Sequence, residues 1–226
     1  MLDSLLAPIA PHSCSGCGNI GSIMCDSCKY DIVSEPFERC LVCLLPSADS
    51  NLCRSCAGAH SIVDAWCVAA RSDSLKTLLD RYKFVSARAA GGVATTLLDA
   101  RLPILPDDIV ITSVPTAATN QRSRGFDHTA HIARKLARSR GLTYLSTLRR
   151  RDNTTQHFRA RAERLKLSAD SFEIIGKPPL KLLLIDDIYT TGATVRACVD
   201  ALKTAGVSEV YVAIIARQTL DEAPHL

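Results

Sequence analysis

The stretch KLLLIDDIYTTGATVRACVDAL, residues 181–202, joins an apolar segment to two adjacent carboxylates and then to small and hydroxylated residues. Its first five residues are almost wholly apolar, which is typical of a parallel-sheet strand covered on both faces. From residue 193 onward, apolar residues recur at helical spacing. The sequence therefore predicts a strand, a turn and a helix, with Asp186 and Asp187 at the carboxyl end of the strand, where α/β sheets place ligands.

The turn between this strand and helix has the composition of a phosphate site. Unpaired backbone N–H groups and a positive dipole end attract anions to a helix N-terminus, and hydroxyl groups add donors. The carboxylates suit a different task, which is to accept hydrogen bonds from vicinal hydroxyls or to hold the water shell of Mg²⁺. Together they indicate a ribose phosphate; the alternative is a helix cap beside two exposed strand-end acids. The turn consists of Thr190, Thr191, Gly192, Ala193 and Thr194.

Length and composition describe a folded protein with one large domain or a core domain with a smaller appendage. Aromatic residues make up only 5% of the 226 residues, so stacking on single-stranded nucleic acid is not the expected main task. No apolar run is long enough to span a bilayer. The start, MLDSLLAPIAPHS, lacks a basic region before its short apolar stretch, so we expect no signal peptide and a cytoplasmic location.

Positive charge is concentrated in one part of the chain. Residues 122–166 contain 13 Lys and Arg against three acids, so this segment carries +10 and the remainder carries −6. Such an excess suits a polyanion, either pyrophosphate or a nucleic-acid backbone. A solvated basic helix face is the preferred interpretation for four of the cations, Arg134, Lys135, Arg138 and Arg140.

Eight of the ten cysteines form four CxxC pairs near the start of the chain. Two residues between thiolates let both reach one tetrahedral ion, and two pairs complete a closed structural zinc site. A disulfide framework fits poorly in a chain without a secretion signal, and a thioredoxin-like role needs one CxxC at a strand–helix junction. The sequence therefore predicts two structural zinc ions. The ligands are Cys14, Cys17, Cys25, Cys28, Cys40, Cys43, Cys53 and Cys56.

Sequential pairing of these motifs would give two small zinc ribbons in series, and an interleaved cross-brace is the alternative. We favour the sequential scheme because both gaps within a ribbon are hairpin-sized. The front end is too small to bury a core, so it should need its metals to fold. We place a boundary near residue 60, with an N-terminal helix and double zinc ribbon in residues 1–60 and the main domain in residues 61–226.

Beyond this boundary, strand and helix patterns alternate, which predicts an α/β fold with a mainly parallel, doubly wound sheet. The predicted strands span residues 65–70, 109–114, 142–148, 182–186 and 209–216, with a short strand or hairpin arm at 172–175. The predicted helices are one with apolar positions at 75, 78, 79 and 82, and others at 90–102, 124–140 and 192–205.

Two connections are longer than usual and should be functional. The first, VPTAATNQRSRGFDH (114–128), would bring Arg122 and Arg124 to the same sheet edge as Asp186. The second, residues 149–171, is rich in arginine and polar residues. It is either a cationic lid over an anionic substrate, using Gln156, Arg161 and Arg164, or a disordered excursion.

The segment LLLIDDIYTTGAT resembles the phosphoribosyl pyrophosphate (PRPP) signature of type I phosphoribosyltransferases. With VPTAATNQRSRGFDHTAHIA, TTQHFRARAERLKLSADSFEI and the cysteine-rich front end, nearly the whole chain resembles the ComF/GntX family. The resemblance implies a type I phosphoribosyltransferase fold behind a double zinc ribbon.

The resemblance also implies roles for individual residues. Asp186 and Asp187 match the catalytic-site acids that hold the ribose hydroxyls and, through them, Mg²⁺, while residues 190–194 match the 5′-phosphate loop. Where family members continue RGF with Asn-Gln, this chain has Asp127 and His128. Val114, Pro115, Thr116 and Ala117 occupy the place of the pyrophosphate loop, with Arg122 and Arg124 as further PRPP-binding candidates.

The family is associated with DNA uptake, natural competence or the use of external DNA. We therefore expect a PRPP-binding accessory protein whose partners are single-stranded DNA and DNA-uptake helicase or channel proteins, held through them at the inner face of the membrane. One alternative is an active phosphoribosyltransferase that transfers ribose 5-phosphate to a small base or amine. Another is a zinc-ribbon nucleic-acid-binding regulator that senses PRPP.

Overall fold

Five parallel strands form the central sheet in the order β1-β7-β6-β2-β3, and β4 and β5 form a separate antiparallel pair. The computed structural model describes residues 12–47, 50–84, 88–151 and 168–218. The strands are β1 (Asp64–Ala70), β2 (Val110–Ser113), β3 (Thr143–Tyr144), β4 (Leu148–Arg150), β5 (Phe172–Ile174), β6 (Lys181–Tyr189) and β7 (Glu209–Arg217).

Helices cover both faces of the sheet, which confirms the doubly wound α/β architecture. Alternate strand residues point to opposite faces, so Leu183 and Ile185 pack beneath α3, α4 and α6, and Leu182 and Leu184 pack beneath α7. The helices are α1 (Asp26–Ser34), α2 (Arg54–His60), α3 (Asp73–Phe84), α4 (Arg88–Arg101), α5 (Ala118–Arg124), α6 (His128–Ser139) and α7 (Ala193–Thr204), with a 3₁₀ turn at Ala169–Ser171. None of the helices in the described part of the chain could cross a membrane.

The prediction of one strand over residues 142–148 is wrong, because two short strands in different sheets share this segment. The last backbone–backbone hydrogen bond of the segment to the main sheet is from Leu145 N to Ile111 O, at 3.0 Å. Two residues later the buried Thr147 hydroxyl bonds that of Thr112 at 2.8 Å, and the chain leaves the sheet to pair β4 with β5.

The predicted helix over residues 124–140 is shorter at its start, because α6 begins at His128. The Asp127 side chain accepts a hydrogen bond from Ala130 N at 3.0 Å and so caps the helix. The preceding residues form α5, which ends at Gly125 with φ at 76°. The predicted lid residues 156, 161 and 164 and the predicted N-terminal helix lie outside the described residues.

The cysteine-rich front end packs on both sides of β1, which is an edge strand of the sheet. Residues 14–28, the first ribbon, place Ile23 and Met24 in the core beneath α3 and α4. Residues 40–56, the second ribbon, place Leu41 and Leu52 in the core on the α7 side. Both ribbons therefore complete the core of the main domain, and the proposed boundary near residue 60 stays a prediction.

Asn51 of the second ribbon covers the outer edge of β1. Its backbone N–H donates to Ala65 O at 2.8 Å, and its side-chain Oδ1 accepts from Cys67 N at 2.7 Å. Asn51 is fully buried, and its amide group also donates to Phe37 O. An unpaired strand edge invites pairing with other chains, so this residue protects the sheet.

Candidate ligand site and metal centres

The two adjacent carboxylates lie within β6, which continues past them to Tyr189. Asp187 is 7% exposed, and its Oδ2 atom is bonded by Lys83 Nζ at 2.5 Å and by His128 Nε2 at 2.8 Å. Lys83 lies in the last turn of α3, and His128 begins α6. Two helices from one face of the sheet therefore converge on a single carboxylate oxygen.

Hydrogen bonding identifies which nitrogen of His128 carries the proton. Its Nδ1 atom lies 3.2 Å from Arg124 Nη1, and a guanidinium group can only donate. Nδ1 therefore accepts, and Nε2 carries the hydrogen that is donated to Asp187. The ring thus links the end of α5 to the acid pair, by which we mean Asp186 and Asp187.

The two members of the acid pair have opposite electrostatic environments. Burial acts to raise the pKa of Asp187, but the Lys83 ammonium and then the His128 contact hold that pKa well below its usual value. Burial and the neighbouring Asp187 charge raise the pKa of Asp186 well above its usual value. Asp187 is therefore the stable anion, and Asp186 is the carboxyl group that more readily keeps a proton.

The hydroxyl turn, residues 190–194, leads into α7 without a side-chain cap. Gly192 is the N-cap residue with φ at 75°, and the first helical bond runs from Arg196 N to Gly192 O at 2.9 Å. The first N–H groups of α7 thus form the uncapped, positive end of a twelve-residue helix. This arrangement can hold a phosphate group.

The ring of Tyr189 packs against Gly192 and gives that glycine a second role. A Cβ atom on Gly192 would overlap Oη and Cζ of Tyr189, and it would lie 2.9 Å from Cε1. The Arg217 guanidinium lies 5.0 Å from the Tyr189 ring centroid, and its Nε donates to Leu41 O in the second ribbon at 3.0 Å. The second ribbon therefore supports the hydroxyl turn through two buried side chains.

The loop of residues 114–117 follows β2 and faces the acid pair. Val114 N donates to Ile185 O at 2.9 Å, which holds the start of the loop against β6. Thr116 Oγ1 donates to Asp127 Oδ1 at 3.1 Å, and the same carboxylate caps α6. Asp127 therefore positions the loop, and the neighbouring His128 contacts the acid pair.

A cavity of about 360 Å³ at the carboxyl ends of the parallel strands joins these parts. The acid pair, the 114–117 loop, Thr190 and Thr194 line it together with four cationic side chains, Arg71, Lys83, Arg124 and Arg150. Arg71 Nε is buried and has no hydrogen-bond partner among the described residues. A cavity with more cations than carboxylates and an unsatisfied donor is suited to an anionic ligand.

The structure brings together most, but not all, of the sequence-predicted ligand residues. Arg124 lines the cavity, whereas Arg122 is exposed on α5 and does not. Thr191, Gly192 and Ala193 form the turn between the lining residues Thr190 and Thr194.

Sequence reasoning did not name seven of the lining residues as ligand residues, and four of these seven have ionisable side chains, namely Arg71, Lys83, His128 and Arg150. Arg71 directly follows β1, so the strand-end rule that identified the acid pair could have found it. Lys83 carries no comparable local signal, since only the folded chain brings it to the cavity, whereas Arg150 belongs to the segment 149–171, whose composition predicts either a cationic lid or a disordered excursion. His128 departs from the family pattern, and its role appears only in its contact with Asp187.

The eight CxxC cysteines form two four-sulfur clusters, which confirms the sequential pairing and excludes the interleaved one. In each cluster the ligand atoms all lie within 4.8 Å of one another. Sγ–Sγ distances are 3.7 Å for Cys14 and Cys25, and 3.8 Å for Cys17 and Cys25. A tetrahedral zinc ion with Zn–S bonds of about 2.3 Å requires about 3.8 Å between sulfurs, so the clusters fit zinc.

Backbone donors favour the thiolate form of one cysteine in each cluster, Cys14 in the first and Cys40 in the second. Gly16 N and Cys25 N donate to Cys14 Sγ at 3.4 and 3.3 Å. Although burial acts in the opposite direction, these N–H groups lower the pKa of Cys14 to about 6, and the equivalent groups lower that of Cys40 to about 7. None of the cysteines in the described part of the chain forms a disulfide, including the buried Cys67 and Cys198.

The acid pair fits a directly bound Mg²⁺ less well than the cysteine clusters fit zinc. Asp187 Oδ2 is already shared by Lys83 and His128, and the cavity contains four cationic side chains. Mg²⁺ usually binds through one or two carboxylates and the phosphates of a substrate. The predicted Mg²⁺ therefore stays a prediction.

The sequence indicates that four cations of α6 and its C-cap form a solvated face of the helix, and this interpretation is wrong only for Arg140. Arg134, Lys135 and Arg138 are exposed, as expected of a solvated face. Arg140 instead bonds Asp99 Oδ1 at 2.5 Å and Leu102 O at 3.0 Å, and so ties the end of α6 to the end of α4.

The chain is similar to one known domain family and to two known proteins. Residues 122–225 match the family described as phosphoribosyl transferase domain. The competence protein ComFC of Streptococcus pneumoniae is 27% identical over 203 residues, covering 85% of this chain and 86% of that protein. The competence protein ComFC of Bacillus subtilis is 26% identical over 207 residues, covering 82% and 81%.

Proposed function

We propose that this chain, which is similar over most of its length to two ComFC competence proteins and carries two four-cysteine clusters ahead of its match to the phosphoribosyl transferase domain, is a PRPP-binding accessory protein of DNA uptake. The single observation that carries PRPP binding is the cavity at the carboxyl ends of the strands. It combines an acid pair, an uncapped helix N-terminus and four cationic side chains within one space.

Each group of PRPP has a matching element in this proposal. The 5′-phosphate binds the hydroxyl turn and the first N–H groups of α7. The ribose hydroxyls donate to the acid pair. The pyrophosphate lies along the 114–117 loop, where Arg71 and Arg124 neutralise its charge. The unsatisfied Arg71 Nε supports this placement, because a phosphate oxygen would supply its missing acceptor.

Calorimetric titration with PRPP tests the site. Asp187→Asn should weaken binding about tenfold to a hundredfold, because a charged acceptor is lost. Arg71→Gln should weaken binding comparably with little loss of stability, since Nε has no partner in the described chain and the ion pair of Nη2 with Asp80 Oδ1 is long, at 3.9 Å. Asp200→Asn is the control, because Asp200 is an exposed acid on α7. PRPP binding equal to wild type in both Asp187→Asn and Arg71→Gln would contradict the proposal.

The role in DNA uptake is supported by the two relatives, which are competence proteins, and by the +10 charge of residues 122–166. In this role the protein binds single-stranded DNA and a helicase or channel protein, at the cytoplasmic face of the membrane. In a host that takes up DNA, loss of the protein should reduce transformation. Complementation with Arg71→Gln would show whether uptake needs the PRPP site, with Asp200→Asn as the matched control.

A second cavity favours phosphoribosyl transfer as a second candidate function. It has about 550 Å³, and it shares Pro115, Thr116 and Arg150 with the first cavity. Tyr144 lines it with the Arg134 guanidinium 4.8 Å from its ring centroid, a surface on which a planar acceptor can stack. Release of pyrophosphate from PRPP in the presence of a base or amine would support this function, and its absence over a broad panel would argue against it.

A further inference from the structure

Lys83 is a fixed group of the ligand site, unlike an ordinary surface lysine. Its side chain is only 12% exposed, and its ammonium group lies 2.5 Å from Asp187 Oδ2. The preceding residue, Tyr82, is fully buried and donates from its hydroxyl to His128 O at 2.9 Å. The end of α3 is thus tied to the start of α6, and both Lys83 and His128 are aimed at the same oxygen.

This arrangement places a positive charge where a metal ion would bind the acid pair. A divalent cation on Asp187 Oδ2 would have to displace the ammonium group or share the oxygen with it. It would also enter a cavity that already holds Arg71, Arg124 and Arg150. Like charges at such short range repel strongly in a partly desolvated site. The acid pair is therefore already neutralised in part by the protein itself.

We propose that Lys83 is a built-in cation that takes the place of a divalent metal at the acid pair, so that PRPP binds without Mg²⁺. The inference rests on the proposed PRPP site for its ligand, and on the contact between Lys83 and Asp187 for its geometry. A compact ammonium group with three donors can bridge Asp187 and the oxygens of a bound ligand, as a metal ion would. Lys83 is then a positioning residue for the ribose and pyrophosphate.

Binding of Mn²⁺ to the zinc-loaded protein tests the geometry without PRPP. Free Mn²⁺ is counted by electron paramagnetic resonance, and Mn²⁺ competes poorly for the zinc thiolates. Wild type should hold no Mn²⁺ at the acid pair, and Lys83→Gln should gain one site that is lost again when Asp187→Asn is added. Lys83→Arg should gain none, because the positive charge remains. Lys76→Gln, at an exposed lysine on the same helix, is the matched control.

Calorimetric titration with PRPP tests whether Lys83 makes Mg²⁺ unnecessary for PRPP binding. Metals are removed from buffer and PRPP with a chelating resin, because a soluble chelator would extract the structural zinc. Wild type should bind PRPP equally well, within about threefold, with and without Mg²⁺. Lys83→Gln should bind about tenfold to a hundredfold more weakly without Mg²⁺ and recover when it is added.

Two results would overturn the inference. One is Mn²⁺ bound by wild type at a site that Asp187→Asn removes, and the other is PRPP binding by wild type that requires Mg²⁺. Absence of PRPP binding under every condition would instead refute the proposed function. The Mn²⁺ titration would then still decide the role of Lys83, because it needs no PRPP.

Discussion

Replacing Gly192 with alanine should disable the hydroxyl turn for two separable reasons. The first is the backbone, since Gly192 has φ at 75° and a residue with a side chain pays about 1–2 kcal/mol in this left-handed region. The second is the collision of the new Cβ atom with the ring of Tyr189. Tyr189 is 3% exposed and held by Arg217, so the collision should cost a further ~1–3 kcal/mol, as overpacking of a core does.

The two costs together are about 2–5 kcal/mol, and they can appear in either of two measurements. If the chain around Gly192 rearranges while the rest stays folded, PRPP affinity should fall at least about thirtyfold. If the turn is kept, the free energy of unfolding should fall instead. Calorimetric titration with PRPP and urea unfolding of the zinc-loaded protein measure both.

Gly206→Ala is the matched control, because Gly206 has φ at 93° and nothing within 4 Å of the position of a new Cβ. Its free energy of unfolding should fall only by the backbone cost, and it should bind PRPP as wild type does. Adding Tyr189→Leu to Gly192→Ala removes the ring atoms with which the new Cβ atom collides. The loss caused by this collision should then disappear, and only the backbone cost should remain. The reasoning would be refuted if Gly192→Ala matched Gly206→Ala in both measurements.

Four further predictions concern other parts of the molecule. Elemental analysis should find about two zinc ions per chain, and Cys56→Ser should leave about one. Affinity for single-stranded DNA should be weak and should fall steeply as salt rises, since the +10 segment binds phosphates; salt-independent binding would contradict this. Asp187→Asn should lower the free energy of urea unfolding by about 3–5 kcal/mol. The double variant Asp187→Asn with Lys83→Met should lower it by less than the sum of the losses of the two single variants. Burial and nearby cations lower the pKa of His131 from 6.5, so stability should decline as pH falls below about 6.5, and His131→Gln should remove that decline in urea unfolding.

The sequence predicted the features that depend on local order along the chain. Asp186, Asp187 and the hydroxyl turn follow one buried strand, and their positions required only the rule that ligands bind at strand ends. The sequential cysteine pairing followed from loop length alone. The prediction for Gly192 was incomplete, because a ring three residues earlier in the sequence also requires a glycine there.

The features that the sequence did not predict depend on tertiary contacts. Helix α5 has no apolar periodicity, although Gly125 at its end is a common stop signal. Lys83 occupies an ordinary position in the last turn of an amphipathic helix, and only the packing of α3 on α6 carries it to Asp187. The segment 142–148 looks like one strand because periodicity does not reveal that the chain leaves the main sheet after Thr147 and pairs with β5 instead.

The neighbours of β1 set a condition on the order in which the chain can fold during synthesis. Among the described strands of the main sheet, β1 pairs with β7 alone, and β7 is the last of these strands to leave the ribosome. At elongation rates of about 5–20 residues per second, β1 waits on the order of ten seconds for that partner. Asn51 is sixteen residues from its contact at Cys67, so the second ribbon can cover one edge of β1 almost at once. Zinc loading of the nascent front end should therefore act as an early folding step, and zinc starvation should leave newly made chains exposed to aggregation through this strand.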